Sequence, residues 1–212
     1  MDYKLNIDEL NTPIKQRSMP FEKFFGDMNL TPSQKEQRIS MAEEFEEMMW
    51  FYYEYFYVMI EGYSSIDNID IAKLTESLEN RYFDVLGHYM AVDEELLAYV
   101  PKFAQNVTET TIKHIGDSYY LSADRATLIA ENESLSCFNN KEYSDALENG
   151  KTKKRWLAIV DDKTRDTHLA VNGKTLAIDD LFFVGDSLMR YPHDLRASAS
   201  EVINCRCSIE YL

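Results

Sequence analysis

A short polar stretch at residues 161–168 (DDKTRDTH) places acidic, basic and imidazole side chains close together in sequence. Thr164 to His168 can form one helical turn, which would put Arg165 and His168 on the same side, three residues apart. Such a pair could hold an anion or assist acid–base chemistry, with Asp161 as an acidic partner. The structural interpretation, which we favour, is a hydrogen-bonded network in which Asp161 pairs with Arg165 and His168 caps a loop.

A second group of reactive side chains lies near the C-terminus, where residues 204–207 read NCRC. Together with His168 and His193, Cys205 and Cys207 supply two thiols and two imidazoles, which is formally a zinc ligand set. Zinc knuckles, however, usually place two residues between paired cysteines, because that turn lets both sulfurs point at one ion, and here only one residue intervenes. The spacing therefore favours a pair of small buried thiols beside an arginine that reaches a carboxylate. We expect no cofactor, and zinc is the one candidate ion.

A nucleophilic cysteine is a third interpretation, because Cys205 or Cys207 could pair with His168. Buried cysteines are usually inert, and the sequence has no glycine-rich phosphate loop. The sequence therefore favours a role without catalysis. The alternative is a toxin-like or nucleotide- or RNA-processing enzyme that uses Arg165 and His168.

The elements that must position these residues are mostly helical, since only 7 Gly and 5 Pro occur in 212 residues. Thr31 and Gln34 form a capping box that predicts a helix ending at Gly62. Pro101 is expected to stop the second helix, and Gly150 to end the last one. The remaining predicted helices cover residues 70–100, with a break near Gly87 left open, and residues 106–115, 125–135 and 141–149.

After residue 150 the pattern changes to short strands and loops. We predict strands at 156–160 and 207–212, and a turn at Asn172-Gly173 between segments 169–171 and 175–178. The predicted fold is α+β, a bundle of long N-terminal helices followed by a small strand-and-loop C-terminal unit. The predicted organisation is an irregular arm (1–30), an acidic, aromatic-rich helical domain (31–120), and a final domain (121–212) with a helical lead-in (121–150) and a mixed α/β tail (151–212).

The formal charge of −15 is unevenly distributed. Residues 151–212 hold 10 basic and 9 acidic side chains, so all the excess acid lies ahead of residue 151. Such a surface disfavours nucleic acid, whose binding needs Lys and Arg against phosphates, and it suits a basic protein partner. The candidate contact residues are Trp50, Tyr53, Tyr55 and Tyr57, although the same stretch could be core.

Targeting signals are not predicted. The apolar stretch 48–60 has 13 residues and contains Glu54, so it is too short to span a membrane. The N-terminus lacks the basic-then-apolar order of a signal peptide. Three cysteines do not suffice for a disulfide framework, so synthesis in a reducing bacterial cytoplasm is expected.

Taken in order, these motifs resemble the Mu F-like head morphogenesis family of tailed phages. Segment 123–133 (ADRATLIAENE) is similar to the family's helix, although Glu131 and Asn132 replace its usual Arg-Thr. The resemblance runs from Arg125 to Cys207. The positions that carry it in the tail are Trp156, Asp161, Thr164, Arg165, His168, Asn172-Gly173, Phe182-Phe183, Tyr191-Pro192, Asn204, Cys205, Arg206 and Cys207.

This resemblance implies a minor head protein of a tailed phage or prophage, present in few copies. It implies a location in the interior of the virion head, association with the portal and other head proteins, and a role in head morphogenesis or genome delivery. Family domains can be joined to toxins. Because the sequence ends five residues after Cys207, we expect no toxin domain after it. A zinc-stabilised adaptor is a further alternative to the structural role.

Overall fold

The computed structural model describes residues 20–62 and 70–212. Long helices precede a few short antiparallel strands, which confirms the predicted α+β class. Of the predicted irregular arm, residues 1–19 lie outside the described residues. The helices are α1 (Phe21–Gly26), α2 (Pro32–Gly62), α3 (Ile71–Tyr89), α4 (Glu94–Lys113), a 3-10 helix (Ser118–Leu121), α5 (Ala123–Glu148), α6 (Asp166–Leu169) and α7 (Ala199–Val202).

Helix α2 begins where the capping box predicts. The backbone N–H of Gln34 donates to Thr31 Oγ1 at 3.3 Å, and the backbone N–H of Thr31 donates to Gln34 Oε1 at 2.9 Å. These reciprocal bonds satisfy donors that the first helical turn leaves free. The helix ends at Gly62, as predicted.

The break left open near Gly87 is present, because α3 ends at Tyr89. A new helix then starts, because the Asp93 side chain accepts from the backbone N–H of Leu96 at 2.8 Å. Pro101 lies inside α4, so the prediction that it stops a helix is wrong. The carbonyl that Pro101 leaves without a helical bond belongs to exposed Leu97, where water can reach it. The predicted helix 106–115 is the second half of α4.

Helix α5 joins the two predicted helices 125–135 and 141–149 into one. The intervening Asn139 is helical because its side chain bonds to Arg38 and to the Pro192 carbonyl, and so does not compete for the helix backbone. Gly150, at φ +70°, ends the helix as predicted. It does so in a Schellman arrangement, in which Lys151 N–H donates to Ala146 O at 3.0 Å.

The chain forms two compact units whose boundaries differ from the predicted domains. Residues 43–130 form one, and residues 19–42 with 131–212 form the other. Both α2 and α5 therefore contribute to each unit. The first, which we call the helical unit, has an aromatic core in which Tyr82 lies 4.7 Å from Phe45 and 5.0 Å from Phe103, measured between ring centroids. Its residues include 17 acidic and five basic side chains, a net charge of −12.

The second unit, which we call the mixed unit, contains the strands. Antiparallel β2 (Thr175–Ala177), β1 (Lys153–Leu157) and β5 (Ser208–Tyr211) form one sheet in that order, and β3 (Phe182–Val184) pairs with β4 (Ser187–Met189) in a hairpin. The predicted strand 156–160 is thus shifted toward the N-terminus. Residues 169–171 lie at the end of α6 and do not form a strand. Gly173 forms the predicted turn, with φ +73°. The predicted final strand is present.

The core of the mixed unit is built around Trp156, which is fully buried on β1. The other buried members of this cluster are Val171, Phe182, Val184, Met189, Cys205 and Cys207. The cysteine-bearing segment is therefore part of the core of this unit and not a surface loop.

Within residues 20–62 and 70–212, none of the helices combines the length and the apolarity that crossing a membrane requires.

Candidate functional site

The mixed unit brings His168, Cys205 and Cys207 together in its interior. His168 Nδ1 lies 3.3 Å from Cys207 Sγ and 3.5 Å from Cys205 Sγ. Each of the three residues is only 2% exposed. Their three potential ligand atoms all lie within 4.8 Å of one another. We refer to these residues as the His–Cys–Cys cluster.

The two sulfurs face the same point, since both lie within 3.5 Å of one nitrogen of His168. The backbone N–H of Cys205 donates to Val202 O at 3.0 Å, and the N–H of Cys207 donates to Cys205 Sγ at 3.5 Å. Asn204, just before them, has φ +59°, in the left-handed region that Asn tolerates better than most residues. A single intervening residue therefore does not separate the two sulfurs, contrary to the expectation from the spacing.

The far side of the imidazole is held by Glu201, at the start of the turn that leads into the cysteine segment. His168 Nε2 lies 3.0 Å from Glu201 Oε2, which also accepts from Thr167 Oγ1 at 2.9 Å. A carboxylate accepts a hydrogen bond, so the proton of the ring is assigned to Nε2. The Nδ1 lone pair then points toward the two sulfurs.

The two thiols have opposite pKa shifts. The hydrogen bond from Cys205 lowers the pKa of Cys207 to about 5, against the effect of burial. Burial raises the pKa of Cys205 well above its usual value. Cys207 is thus the sulfur on which negative charge is best stabilised.

Asp161 and Arg165 have other partners than each other. Arg206 Nη2 donates to both carboxylate oxygens of Asp161, at 2.7 and 2.6 Å, and Thr164 Oγ1 donates to Oδ1 at 2.9 Å. The Arg206 guanidinium holds the pKa of Asp161 below its usual value. Arg165 donates to the Ile203 carbonyl at 2.6 Å. The structural pairing of Asp161 with Arg165 is therefore wrong, whereas an arginine between the thiols does reach a carboxylate.

His193 supports the cluster without joining it. Its Nε2–H donates to the backbone carbonyl of Cys205 at 2.7 Å, and burial lowers its pKa to about 4. The preceding Pro192 accepts from the Asn139 side chain at 2.7 Å. His193 therefore positions the segment that carries Cys205, while the potential ligand atoms that converge are those of His168, Cys205 and Cys207.

Space around the cluster is very small. The cavity beside it has a volume of about 10 Å³, which is roughly the space for one water molecule. Besides the cluster it is lined by Thr164, Arg165 and Asn204, among others. Trp156 closes another side, with its ring centroid 5.9 Å from that of His168.

Two residues at this site escaped the sequence analysis. Glu201 lies 33 residues from His168 in sequence and sits among ordinary polar residues, so no local pattern marked it. Gly185 has φ +56°, and a β-carbon there would stand 2.2 Å from Glu201 Oε1. An isolated glycine between two short apolar segments was the one available signal.

The candidate contact residues on α2 differ in how far they are buried. Tyr53 is fully buried in the helical unit, so it presents no surface to a partner. Trp50, Tyr55 and Tyr57 are half-buried. The neighbouring Phe51 is more exposed, at 38%, and lies under the Arg81 guanidinium, 3.0 Å from its ring centroid.

Comparison with known proteins agrees with this arrangement of motifs. The family described as "Phage Mu protein F like protein" matches residues 102–210, more than half of the sequence, and the chain belongs to that family. It is therefore a phage head-related protein, and the family implies association with the virion.

One curated relative is the NAD(+)–arginine ADP-ribosyltransferase EFV of Enterococcus faecalis (strain ATCC 700802 / V583), which is 31% identical over 134 residues. That match covers 55% of this chain and 27% of the relative, so the chain spans about a quarter of the relative's length. No solved structure matches.

Proposed function

We propose that this protein is a minor component of the phage head that associates with the portal and acts in head morphogenesis or genome delivery. The observation that carries the proposal is the family match over residues 102–210. We assign the portal contact to the helical unit, and the mixed unit serves as a rigid framework for the family motifs.

The charge of the helical unit supports this assignment. Residues 43–130 carry a net charge of −12, whereas the whole chain carries −15. An acidic surface of this size repels DNA phosphates and attracts a basic protein face. The partner we propose is therefore a basic surface of the portal, in preference to the genome.

A groove between α2 and α3 in the helical unit is the best candidate for the contact. Its volume is about 1460 Å³, and half-buried Trp50 and exposed Phe51 supply aromatic contact area. Carboxylates surround these rings, and aromatic residues with a charged rim are typical of protein interfaces. The acidic residues that line the groove are Glu43, Glu44, Glu46, Glu47, Glu54 and Asp84.

The test is co-expression with the portal protein encoded by the same phage, followed by affinity capture. The variant carries Glu43→Lys, Glu47→Lys and Glu54→Lys, which reverse three exposed charges at the groove. We expect binding to fall at least about tenfold, equivalent to ~1.4 kcal/mol. Capture should also weaken as salt rises, because the attraction is screened.

The matched control carries Glu36→Lys, Glu109→Lys and Glu148→Lys, which are exposed residues outside the groove. It changes the net charge by the same amount. Portal capture should remain within about twofold of the unmodified protein, since surface substitutions away from an interface have small effects. Equal losses in both variants would show that net charge, and not the groove, governs binding.

A second candidate function comes from the name of the curated relative, an arginine ADP-ribosyltransferase. Under that proposal Arg165 and His168 would act on a nucleotide. Against it, His168 is 2% exposed and its adjoining cavity holds about one water, so a nucleotide has no access. We expect the double variant Arg165→Ala, His168→Ala to lose stability without losing any turnover of NAD⁺. Nicotinamide release or RNA cleavage that this change abolishes would overturn the structural role.

A further inference from the structure

The His–Cys–Cys cluster has the geometry of a metal centre. We propose that it binds one zinc ion through His168 Nδ1, Cys205 Sγ and Cys207 Sγ. This inference does not depend on the portal contact, because the cluster lies wholly within the mixed unit and the proposed groove lies in the helical unit.

The distances between the ligand atoms match those of tetrahedral coordination. With Zn–S of about 2.3 Å and Zn–N of about 2.0 Å, a sulfur and a nitrogen on one ion stand about 3.5 Å apart. His168 Nδ1 lies 3.3 and 3.5 Å from the two sulfurs. The two sulfurs lie within 4.8 Å of each other, against about 3.8 Å for two thiolates on one ion, so an ion would draw them together by about 1 Å or less.

The hydrogen bonds around the cluster prepare it for a cation. Glu201 accepts a hydrogen bond from the Nε2–H of His168, which directs the Nδ1 lone pair to the same space as both sulfurs. A carboxylate on the outer nitrogen of a metal-bound histidine is the common arrangement at zinc sites. Thr167 in turn bonds to Glu201, and the backbone N–H of Cys207 bonds to Cys205 Sγ.

Cys207 and His168 could instead form a nucleophilic Cys–His–Glu arrangement with Glu201, in which Cys207 is the nucleophile. Burial decides against it. A nucleophile must meet a substrate, but Cys207 is 2% exposed and the adjoining cavity of about 10 Å³ admits one water-sized species. A second thiol facing the same nitrogen also has no role in such a mechanism, whereas it is needed by a metal.

Two thiolates and one imidazole favour zinc over calcium or magnesium, which prefer oxygen ligands. Binding replaces the two thiol protons, which leave to solvent, so that two thiolates neutralise the charge of Zn²⁺. The fourth position falls to a water in the small cavity. The ion would join α6 to the segment that precedes β5, across 37 to 39 residues of sequence.

The test is metal analysis of the full chain purified from zinc-supplemented cells. We expect about one zinc per chain. Replacing zinc by cobalt should give thiolate-to-cobalt charge-transfer absorption, which requires sulfur ligands. The variant Cys205→Ala, Cys207→Ala should lose the metal, while Cys137→Ala should keep it, because buried Cys137 is outside the cluster.

A variant outside the ligand set keeps the test decisive if the double cysteine variant does not fold. Glu201→Gln retains all three ligands, and we expect it to weaken zinc affinity about 10- to 100-fold in a chelator competition. Metal-free folded protein that takes up neither zinc nor cobalt would overturn the proposal. So would rapid alkylation of Cys207 in the native protein at a rate that added zinc does not change, which would favour the nucleophile.

Discussion

Glu201 occupies the space in which a side chain at residue 185 would lie. A β-carbon on Gly185 would stand 2.2 Å from Glu201 Oε1, and the backbone there has φ +56°. The same glutamate bonds to His168 at 3.0 Å. The turn between β3 and β4 therefore controls the position of the imidazole in the His–Cys–Cys cluster.

Gly185→Ala is expected to lower the free energy of unfolding by about 2–5 kcal/mol. The positive φ contributes ~1–2 kcal/mol of this and the contact with Glu201 another ~1–3 kcal/mol. Gly173→Ala is the matched control, because Gly173 also has a positive φ, +73°, but an added β-carbon meets nothing within 4 Å. Denaturant unfolding of the two variants measures the difference. Equal losses would show that Glu201 moves away freely.

Asp194→Asn is expected to destabilise the protein by about 3–5 kcal/mol at pH 7, because it breaks a buried ion pair from one side. The Asp194 side chain is 1% exposed, and Arg190 Nη2 donates to its Oδ1 at 2.8 Å while Nε donates to Oδ2 at 2.9 Å. Denaturant unfolding of the purified protein is the measurement. A loss below about 1 kcal/mol would mean that the pair is solvated.

The effect of Asp194 also has a defined pH dependence. Burial alone would raise the pKa of Asp194, but the bonds from Arg190 outweigh it and hold the pKa below the usual value. A lowered native pKa gives stability that is present above about pH 4 and is lost as pH falls through the native pKa. The difference in the free energy of unfolding between the unmodified protein and Asp194→Asn should therefore narrow in acid. A difference that widens in acid would contradict a lowered pKa for Asp194 in the folded protein.

Lys154→Met is expected to leave stability at pH 7 unchanged or higher. Lys154 is fully buried, and its Nζ has no hydrogen-bond partner among the described residues. The nearest groups are aromatic, with the Tyr143 ring centroid at 5.3 Å and that of Phe182 at 5.6 Å. A side chain of similar volume without charge removes the cost of burying an ammonium group.

Burial and the nearby Arg190 lower the pKa of Lys154 to about 8. Between this pKa and the unfolded value of about 10.4, the unfolded chain binds more protons than the folded protein. The free energy of unfolding of the unmodified protein therefore rises with pH over this range, by about 3 kcal/mol relative to Lys154→Met. Lys153→Met, at an exposed neighbouring position, should show no such trend. A pH-independent gap between native protein and Lys154→Met would show that the amine is solvated.

Asn139→Ala is expected to cost about 2–4 kcal/mol, because two buried groups lose a partner. Arg38 Nη2 donates to Asn139 Oδ1 at 2.9 Å, and Asn139 Nδ2 donates to Pro192 O at 2.7 Å. Exposed Asn149→Ala, which removes a local bond at the end of the same helix, should cost ~0.5 kcal/mol or less. Comparable losses in both variants would show that the hydrogen bonds joining Arg38, Asn139 and Pro192 contribute little to stability.

The features that could be predicted from the sequence are those with local causes. The start of α2 depends on Thr31 and Gln34, three residues apart, and the end of α5 depends on Gly150. The prediction that Pro101 ends a helix was wrong because a helix tolerates proline where the carbonyl left without a hydrogen-bond donor is exposed. Here that carbonyl belongs to Leu97. The buried bonds of Asn139 explain why α5 continues through a polar stretch.

The candidate site was harder to predict because its geometry depends on distant residues. His168 and Cys207 are 39 residues apart, and His168 and Glu201 are 33 apart. The two cysteines were recognised as a motif, but their approach to one nitrogen of His168 depends on tertiary packing and leaves no local mark in the sequence. The same holds for the choice of Arg206 over Arg165 as the partner of Asp161.

The central claim is that this protein is a minor component of the phage head, and quantitative mass spectrometry of purified heads tests it most directly. Heads should be isolated from the phage or induced prophage that encodes the chain, and its peptides compared with those of the portal protein. We expect a few copies of this chain in each head, and we expect them to remain through density-gradient purification. Peptides that are abundant in the lysate and absent from purified procapsids and virions would contradict it.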